Sequence, residues 1–194
     1  MSAGDASLAR RRFATERRGA ALRSGDVTET LTNSLPGDVE ALVAAVLDAA
    51  DRRGVELATA ESCTGGLLAS ILTDVEGRSH VFDRGFVTYS NAAKQDELGV
   101  PLRLIQQNGS VSEPVARAMA EGALRASRAG MALAITGFAG PAGRDDEPGL
   151  VHFALAAEGN PTVHEEHHFG DIGRGPCRIA CLRVALTLLK AALT

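Results

Sequence analysis

The sequence contains no tryptophan and only 4% aromatic residues, so its core has to be built from aliphatic side chains. Tryptophan-lined sugar sites and aromatic platforms that stack nucleic-acid bases are therefore not expected. No apolar run approaches the roughly 20 residues that span a bilayer. No apolar stretch follows the N-terminal arginines either, so we expect neither a membrane span nor a secretory signal.

Cysteine is scarce, and the net charge is small. The chain has 20 basic and 24 acidic residues, and its net charge of −4 does not favour binding to nucleic acid or to a membrane surface. The 3 cysteines do not form an even, paired framework, which is typical of a reducing compartment, and we predict a cytoplasmic location. The 194 residues suffice for one domain with a sizeable core.

The composition of the chain changes near residue 37. Residues 1–37 carry clustered arginines followed by Ser, Thr, Gly and Asn, which predicts a disordered, Arg-rich tail. We favour a solvated tail over one that contacts a phosphate polymer. Residues 38–194 are predicted to form a single domain, with Asp38 as the N-cap of its first helix.

Apolar periodicity predicts that helices and strands alternate along this domain. Strands are expected at 55–61, 85–91, 131–137, 150–159 and 162–169, and helices at 38–54, 65–75, 92–99, 112–126 and 174–193. The alternation predicts an α/β fold, a three-layer sandwich with a mixed, mostly parallel sheet flanked by helices. The adjacent late strands, which resemble a hairpin, argue against a wholly parallel sheet.

The stretch TAESCTGG, residues 59–66, joins a predicted strand to a predicted helix. Its small residues permit a tight turn, and free N–H groups at a helix start attract anions or a developing oxyanion. Ser62, Cys63 and Thr64 would lie where such donors converge. The stretch matches neither the G-x-x-x-x-G-K-[ST] loop nor the G-x-S-x-G elbow, so its spacing leaves a nucleophile and a phosphate site equally open.

A second stretch, YSNAAK, places Tyr89, Ser90, Asn91 and Lys94 at a predicted strand end. Tyr89 is the only tyrosine in the chain. A lysine buried there would lose its charge readily and act as a base, and a lysine-activated serine is a known nucleophile arrangement. The alternative is that Tyr89 is a half-buried strand residue and Lys94 a solvated helix residue.

A third stretch, ITGFAGPAG, continues a predicted strand into a glycine-rich loop. Thr136 and Gly137 end the strand, and Gly140 follows within the loop. Such a loop lets a ligand touch the backbone, although alone it indicates no particular ligand.

Together these stretches and GSVSEPVARAMAEGA, from about residue 38 onward, resemble the C-terminal domain of the competence/damage-inducible protein CinA. Stand-alone members of that family are nicotinamide-nucleotide amidases. The resemblance implies hydrolysis of the carboxamide of nicotinamide mononucleotide to nicotinate mononucleotide and ammonia, with no metal or organic cofactor. Larger family members carry an N-terminal nucleotide-processing domain, for which residues 1–37 are too short.

The resemblance also implies roles for individual residues. Ser62 would be the nucleophile, Lys94 its base, and Tyr89 would assist. The substrate contacts are expected from local charge and geometry instead: backbone N–H groups of Thr64, Gly65 and Gly66 at the oxyanion, Glu61 at the cationic pyridinium ring, and Arg174 or Arg178 at the phosphate. Asn91, Thr136, Gly137 and Gly140 are expected around the pocket. The loop over residues 142–149 departs from the family pattern, which puts substrate contacts there in doubt.

Cysteine and histidine residues allow other interpretations. Cys63 adjoins Ser62 and is intrinsically a better nucleophile, but neighbouring side chains of an extended segment point opposite ways and the resemblance favours Ser62. Cys177 and Cys181 are interpreted as small buried residues. His164, Glu166 and His168 share one face of a strand that could hold a metal, and we favour a solvated face instead.

Two other functions stay open at this stage. One is a nucleotide-binding module without turnover, and the other is an amidase for a different small carboxamide. The expected partner is a small-molecule nucleotide, with no nucleic acid and no membrane. The family resemblance implies a homo-oligomer, for which helix 112–126 and the terminal helix are candidate contact surfaces, unless their apolar stripes simply belong to the core.

Overall fold

The computed structural model describes residues 35–140 and 146–194. The helices are α1 (Gly37–Arg53), α2 (Leu67–Leu72), α3 (Asn91–Leu98), α4 (Leu102–Asn108), α5 (Glu113–Arg125) and α6 (Arg174–Ala192). The strands are β1 (Leu57–Glu61), β2 (Phe82–Val87), β3 (Met131–Gly137), β4 (Leu150–Ala157) and β5 (Val163–His168), and a 3-10 turn precedes β2. The predicted tail lies outside the described residues, apart from residues 35–37, of which Gly37 already belongs to α1.

The strands form one mixed sheet in the order β2-β1-β3-β4-β5. β1 pairs in parallel with both β2 and β3, whereas β4 is antiparallel to its neighbours β3 and β5. Four of the strands therefore run in the same direction and only β4 opposes them. This arrangement confirms the predicted mixed α/β sheet, including the late antiparallel pair.

Helices cover both faces of the sheet, which confirms the three layers. Leu133 and Ile135 of β3 face a core shared with α1, α2 and α6. Ala132 and Ala134 alternate with them and face a second core shared with α3, α4 and α5. The second core is rich in alanine, so the helices of that layer approach the sheet closely.

The connections around β1 and β3 create a crevice at one edge of the sheet. From β1 the chain crosses through α2 to β2 on one side, and from β3 it continues to β4 on the other side. In sheets of this type, ligands bind outside the carboxyl ends of the strands where the connections diverge. The residues just after Glu61 and Gly137 therefore occupy the position where a site is expected.

Several element boundaries differ from those predicted. Asp38 is not an N-cap, because Pro36 holds that position and the Asp38 carboxylate instead binds Arg183 of α6. β2 begins earlier than predicted and ends at Val87, so Tyr89 lies beyond the strand. The sequence prediction missed α4, which is short and has only Ile105 as a buried residue. None of the helices in the described ranges is both long and apolar enough to cross a membrane.

Gly122 gives a test of the packing between α5 and α3. A Cβ added at Gly122 would lie 2.1 Å from the carbonyl oxygen of Leu98, which is backbone and has no room to move. We expect Gly122→Ala to lower the free energy of unfolding by about 1–3 kcal/mol, measured by urea denaturation.

The matched control is Gly37→Ala in the first turn of α1, where an added Cβ meets nothing within 4 Å. This change should leave stability unchanged or slightly raised. Equal stabilities for the two variants would contradict the close approach of α5 to Leu98.

Candidate active site

Ser62 and Lys94 meet at the carboxyl edge of the sheet. The Ser62 N–H donates to the Ile135 carbonyl at 3.0 Å, which holds the end of β1 against β3. Lys94 Nζ donates to Ser62 Oγ at 3.1 Å and to the Thr88 carbonyl oxygen at 2.8 Å. Lys94 is only 1% exposed, so the alternative of a solvated helix lysine is wrong.

The surroundings of Lys94 favour its uncharged form. Within the described ranges no carboxylate forms an ion pair with it, although ion pairs are numerous elsewhere. Burial lowers the pKa of Lys94, and the nearby Cys63 thiol opposes this effect. An amine in this state can accept a proton from a hydroxyl group, which a fully charged ammonium cannot do.

Local sequence places Lys94 next to the strand ends. Ser90 caps α3 by accepting a hydrogen bond from the Ala93 N–H at 3.1 Å, so the helix begins immediately after the YS dipeptide. The Thr88 N–H donates to the Glu61 carbonyl at 2.8 Å and ties the segment after β2 to the end of β1. Lys94 therefore enters the crevice from the first turn of a capped helix.

The segment after Ser62 is a tight turn. The Gly65 N–H donates to the Ser62 carbonyl at 3.1 Å, and both Gly65 and Gly66 have positive φ, 66° and 90°, which favours glycine. The side chain of Thr64 is buried, and its hydroxyl has no partner among the described residues. The turn thus holds Ser62 rigidly while carrying α2 away from the sheet.

Glu61 has a different role from the one expected. Its carboxylate is fully buried and accepts hydrogen bonds from the N–H groups of Gly66, Leu68 and Ala69 at 3.1, 3.1 and 2.8 Å. It therefore caps α2 instead of facing a substrate. The structure also corrects Gly65 and Gly66 as oxyanion donors, because both of their N–H groups are already bonded within the protein.

Other N–H groups remain available in the same turn. The amides of Cys63 and Thr64 have no hydrogen-bond acceptor within residues 35–140 and 146–194. Cys63 follows Ser62 directly and lines the neighbouring cavity. Because the Ser62 N–H is already bonded, the Cys63 N–H is the unbonded donor nearest to the Ser62 hydroxyl along the chain. Such a donor can stabilise an oxyanion that forms when the hydroxyl attacks a carbonyl group.

A cavity of about 250 Å³ surrounds the Ser62–Lys94 pair. Its lining includes six predicted site residues: Ser62, Tyr89, Lys94, Gly137, Gly140 and Arg174. It also includes Cys63, Ser110, Val111, Phe138 and Ala139, of which Ser110 and Val111 were missed. Those two come from the loop before α5, where the sequence signals only the start of a helix.

Three further predicted residues lie outside the cavity lining. Asn91 is exposed in the first turn of α3. Thr136 donates from Oγ1 to the Ser110 carbonyl at 2.8 Å, so it supports the cavity wall without lining it. Arg178 donates from Nε to the Cys63 carbonyl at 2.8 Å, which places it against the outside of the turn instead of at a ligand phosphate.

Arg174 and Tyr89 stand at the cavity mouth. Arg174 begins α6, and its guanidinium group lies over Gly140, where an added Cβ would come within 2.9 Å of it. Among the described residues it has no carboxylate partner. Tyr89 is 66% exposed, so the alternative of a half-buried strand residue is wrong. The mouth thus presents an accessible cation and an accessible aromatic ring.

Cys177 and Cys181 are buried in the core, as predicted. On the face of β5 that was predicted to be solvated, Glu166 and His168 are exposed, which confirms the prediction for these two. His164 differs, because its side chain is 10% exposed and lies against His152 and Glu113. Nowhere in the described part of the chain do three or more His, Cys, Asp or Glu side chains form a group suited to a metal ion.

Comparison with known proteins gives consistent results. The model of the CinA C-terminal domain matches residues 39–193. A CinA-like protein of Anaeromyxobacter sp. strain Fw109-5 is 51% identical over 158 residues, 80% of this chain and 37% of the relative. Nicotinamide-nucleotide amidohydrolase PncC of Escherichia coli K12 is 50% identical over 122 residues, 61% of this chain and 74% of that protein.

The same likeness holds for solved structures. The crystal structure of the competence/damage inducible protein CihA from Agrobacterium tumefaciens has a TM-score of 0.79 at 47% identity. The match covers 82% of this chain and 97% of that one. By contrast, the chain spans little more than a third of the length of its CinA-like relatives.

The lowered pKa of Lys94 can be tested through stability. Because folding lowers the Lys94 pKa below its ordinary 10.5, the folded state binds fewer protons than the unfolded chain between the two pKa values. Wild-type stability therefore rises with pH across that window. Lys94→Met lacks this titrating group and does not gain stability in this way. Its free energy of unfolding, after subtraction of the wild-type value, should therefore fall as pH rises toward 10.5, measured by urea denaturation at several pH values.

Lys190→Met is the matched control, because Lys190 is an exposed lysine in the last turn of α6. Comparing the two variants separates the contribution of the buried amine from the general effect of removing a lysine. A flat profile for Lys94→Met would contradict the lowered pKa.

Proposed function

The chain belongs to the CinA C-terminal domain family, and on that premise we propose that it hydrolyses the carboxamide of nicotinamide mononucleotide to nicotinate mononucleotide and ammonia. The observation that carries the proposal is the 3.1 Å hydrogen bond between Lys94 Nζ and Ser62 Oγ inside a cavity. A nucleophile with its base at this distance is what acyl transfer from an amide requires. The name of the Escherichia coli relative supports the choice of substrate.

In the first half of the proposed reaction, uncharged Lys94 takes the hydroxyl proton of Ser62. The Ser62 oxygen attacks the carboxamide carbon, and the carbonyl oxygen becomes an oxyanion next to the Cys63 N–H. Protonated Lys94 then donates its proton to the amide nitrogen. The C–N bond breaks, ammonia leaves, and the nicotinoyl group of the mononucleotide remains bound to Ser62 as an ester.

The second half of the reaction uses the same groups. Lys94 is again uncharged and takes a proton from a water molecule that attacks the ester carbon. The ester bond breaks, Ser62 regains its proton from Lys94, and the nicotinate mononucleotide leaves as a carboxylate after its acid proton passes to solvent. Thr88 accepts a hydrogen bond from Lys94 at 2.8 Å and so keeps the amine in place during both proton transfers.

The cavity mouth suits the two charges of the substrate. Arg174 is an accessible cation without a partner among the described residues, and a guanidinium group binds phosphate through charge-assisted hydrogen bonds. Tyr89 lines the same cavity, and its ring can cover the cationic pyridinium of the substrate. In this proposal Tyr89 contacts the substrate and has no proton-transfer role, since no bond joins it to Ser62 or Lys94.

The Ser62–Lys94 pair also weighs against a binding module without turnover. Holding a phosphate does not require a lysine that is buried away from the accessible end of the cavity. Burying an amine without a carboxylate partner costs free energy, and such perturbed groups concentrate at catalytic sites. An amidase for another small carboxamide stays open, and the phosphate contact of Arg174 separates the two possibilities.

The proposal includes a cytoplasmic enzyme that acts as a homo-oligomer without a cofactor. These points stay predictions from the sequence and the family resemblance. Light scattering coupled to size-exclusion chromatography measures the oligomer directly.

Ammonia release from nicotinamide mononucleotide tests the nucleophile. We expect Ser62→Ala to lower kcat by roughly a thousandfold or more, because no other hydroxyl in the cavity is bonded to Lys94. Cys63→Ala is the matched control, since it removes the neighbouring thiol and keeps the backbone N–H, and most of the activity should remain. The opposite pattern would assign the nucleophile to the thiol.

Arg174→Ala tests the phosphate contact. We expect kcat/KM for nicotinamide mononucleotide to fall by about tenfold to a hundredfold, as for the loss of a charged hydrogen bond. For nicotinamide riboside, which lacks the phosphate, kcat/KM should change less than about twofold. Equal losses for both substrates would contradict a phosphate-binding role.

A further inference from the structure

Arg178 makes an unusual contact for a charged side chain on the last helix. It donates from Nε to the carbonyl oxygen of Cys63 at 2.8 Å, reaching from α6 to the turn that follows β1. Its Nη2 lies 3.4 Å from the position that a Cβ would take at Gly65. Arg178 forms no ion pair with any described carboxylate. Its hydrogen bond among the described residues is the one to this turn.

The bond acts on one peptide group of the turn. The peptide group between Cys63 and Thr64 is planar, so fixing its carbonyl also fixes the direction of the Thr64 N–H. The peptide group between Ser62 and Cys63 is fixed separately, because the Ser62 carbonyl accepts from the Gly65 N–H at 3.1 Å. Both peptide groups that flank the Cys63 Cα are therefore restrained.

These restraints fix the direction of the Cys63 N–H next to the Ser62 hydroxyl. The Cys63 N–H points away from the Ser62 carbonyl, since the two belong to the same trans peptide group. That N–H is the donor assigned to the oxyanion in the proposed reaction. A donor contributes fully to an oxyanion only when it is held in place before the charge develops.

We infer that Arg178 is a positioning residue for the amidase reaction, holding the Ser62–Gly65 turn so that the Ser62 hydroxyl and the Cys63 N–H keep their reacting geometry. The inference rests on the proposed function for its substrate. It differs from a phosphate-binding role because Arg178 does not line the cavity, whereas Arg174 does. In this role the Arg178 guanidinium group binds the turn and not the ligand.

The test compares Arg178→Met, Arg178→Lys and wild type. Methionine keeps the aliphatic length and removes every donor, and lysine restores one donor and the charge. We expect Arg178→Met to lower kcat on nicotinamide mononucleotide by on the order of tenfold to a hundredfold, with KM changed less than about threefold. Arg178→Lys should recover part of the lost kcat.

The matched control is Arg183→Met on the same helix. Arg183 is exposed and bonded to Asp38, far from the cavity lining, so its loss should leave kcat unchanged. Thermal melts of all variants verify that they fold. A rise in KM without a fall in kcat would overturn the inference in favour of phosphate binding, and an unchanged kcat in Arg178→Met would overturn it outright.

A second readout does not depend on the substrate. A fluorophosphonate probe labels an activated serine and needs the same oxyanion donors, whatever amide the enzyme hydrolyses. Slower labelling of Ser62 in Arg178→Met than in Arg183→Met supports the positioning role even if nicotinamide mononucleotide is not turned over. Equal labelling rates in these two variants would refute the positioning role while leaving the proposed substrate standing.

Discussion

An amine buried without a carboxylate partner is the constraint on which the site depends. Lys94 is 1% exposed, and its hydrogen-bond acceptors are one carbonyl oxygen and the hydroxyl of Ser62. Neither acceptor carries a charge that would stabilise an ammonium group, so burial favours the neutral amine. The hydrogen bond to the Thr88 carbonyl oxygen keeps the amine in this unfavourable place, because the Thr88 N–H is itself bonded to the end of β1.

The sheet topology explains why the pair forms at this place. β1 lies between two parallel neighbours, so the ends of β1, β2 and β3 come together at one edge. Ser62 follows β1, Lys94 follows β2 through a short capped helix, and Gly137 ends β3. Glu61 accepts three backbone N–H groups of the next helix and so fixes the start of α2. Three strand ends and one carboxylate therefore determine the geometry of the hydroxyl and the amine.

The sequence predicted that Ser62 and Lys94 meet because each lies in a contiguous motif at a strand end. The positions of β1, β3, β4 and the long α6 were predictable from their apolar residues, and β5 from its hairpin-like connection to β4. What could not be predicted depends on tertiary partners. Glu61 appeared to be a ligand contact because nothing in the sequence shows that a buried carboxylate accepts from the helix six residues later.

Arg178 and Ser110 illustrate the same limit. Arg178 contacts a backbone carbonyl 115 positions earlier in the chain, a separation that no local pattern reveals. Ser110 reaches the cavity because α4 turns the chain back toward β3, and α4 has too few buried residues to show a clear amphipathic period. The motifs therefore locate the Ser62–Lys94 pair, and the chain segments between the motifs determine what surrounds it.

The most direct test of the account is the protonation state of the Lys94 amine. Nuclear magnetic resonance of ¹³C-labelled lysine follows the Cε chemical shift of Lys94 as the pH is raised, with Lys190 as an exposed reference in the same sample. We expect the pKa of Lys94 to lie below the ordinary lysine value of 10.5, because the amine is buried, and to stay below it in Ser62→Ala. A Lys94 pKa at 10.5 or above would contradict a base that is readily uncharged beside the Ser62 hydroxyl.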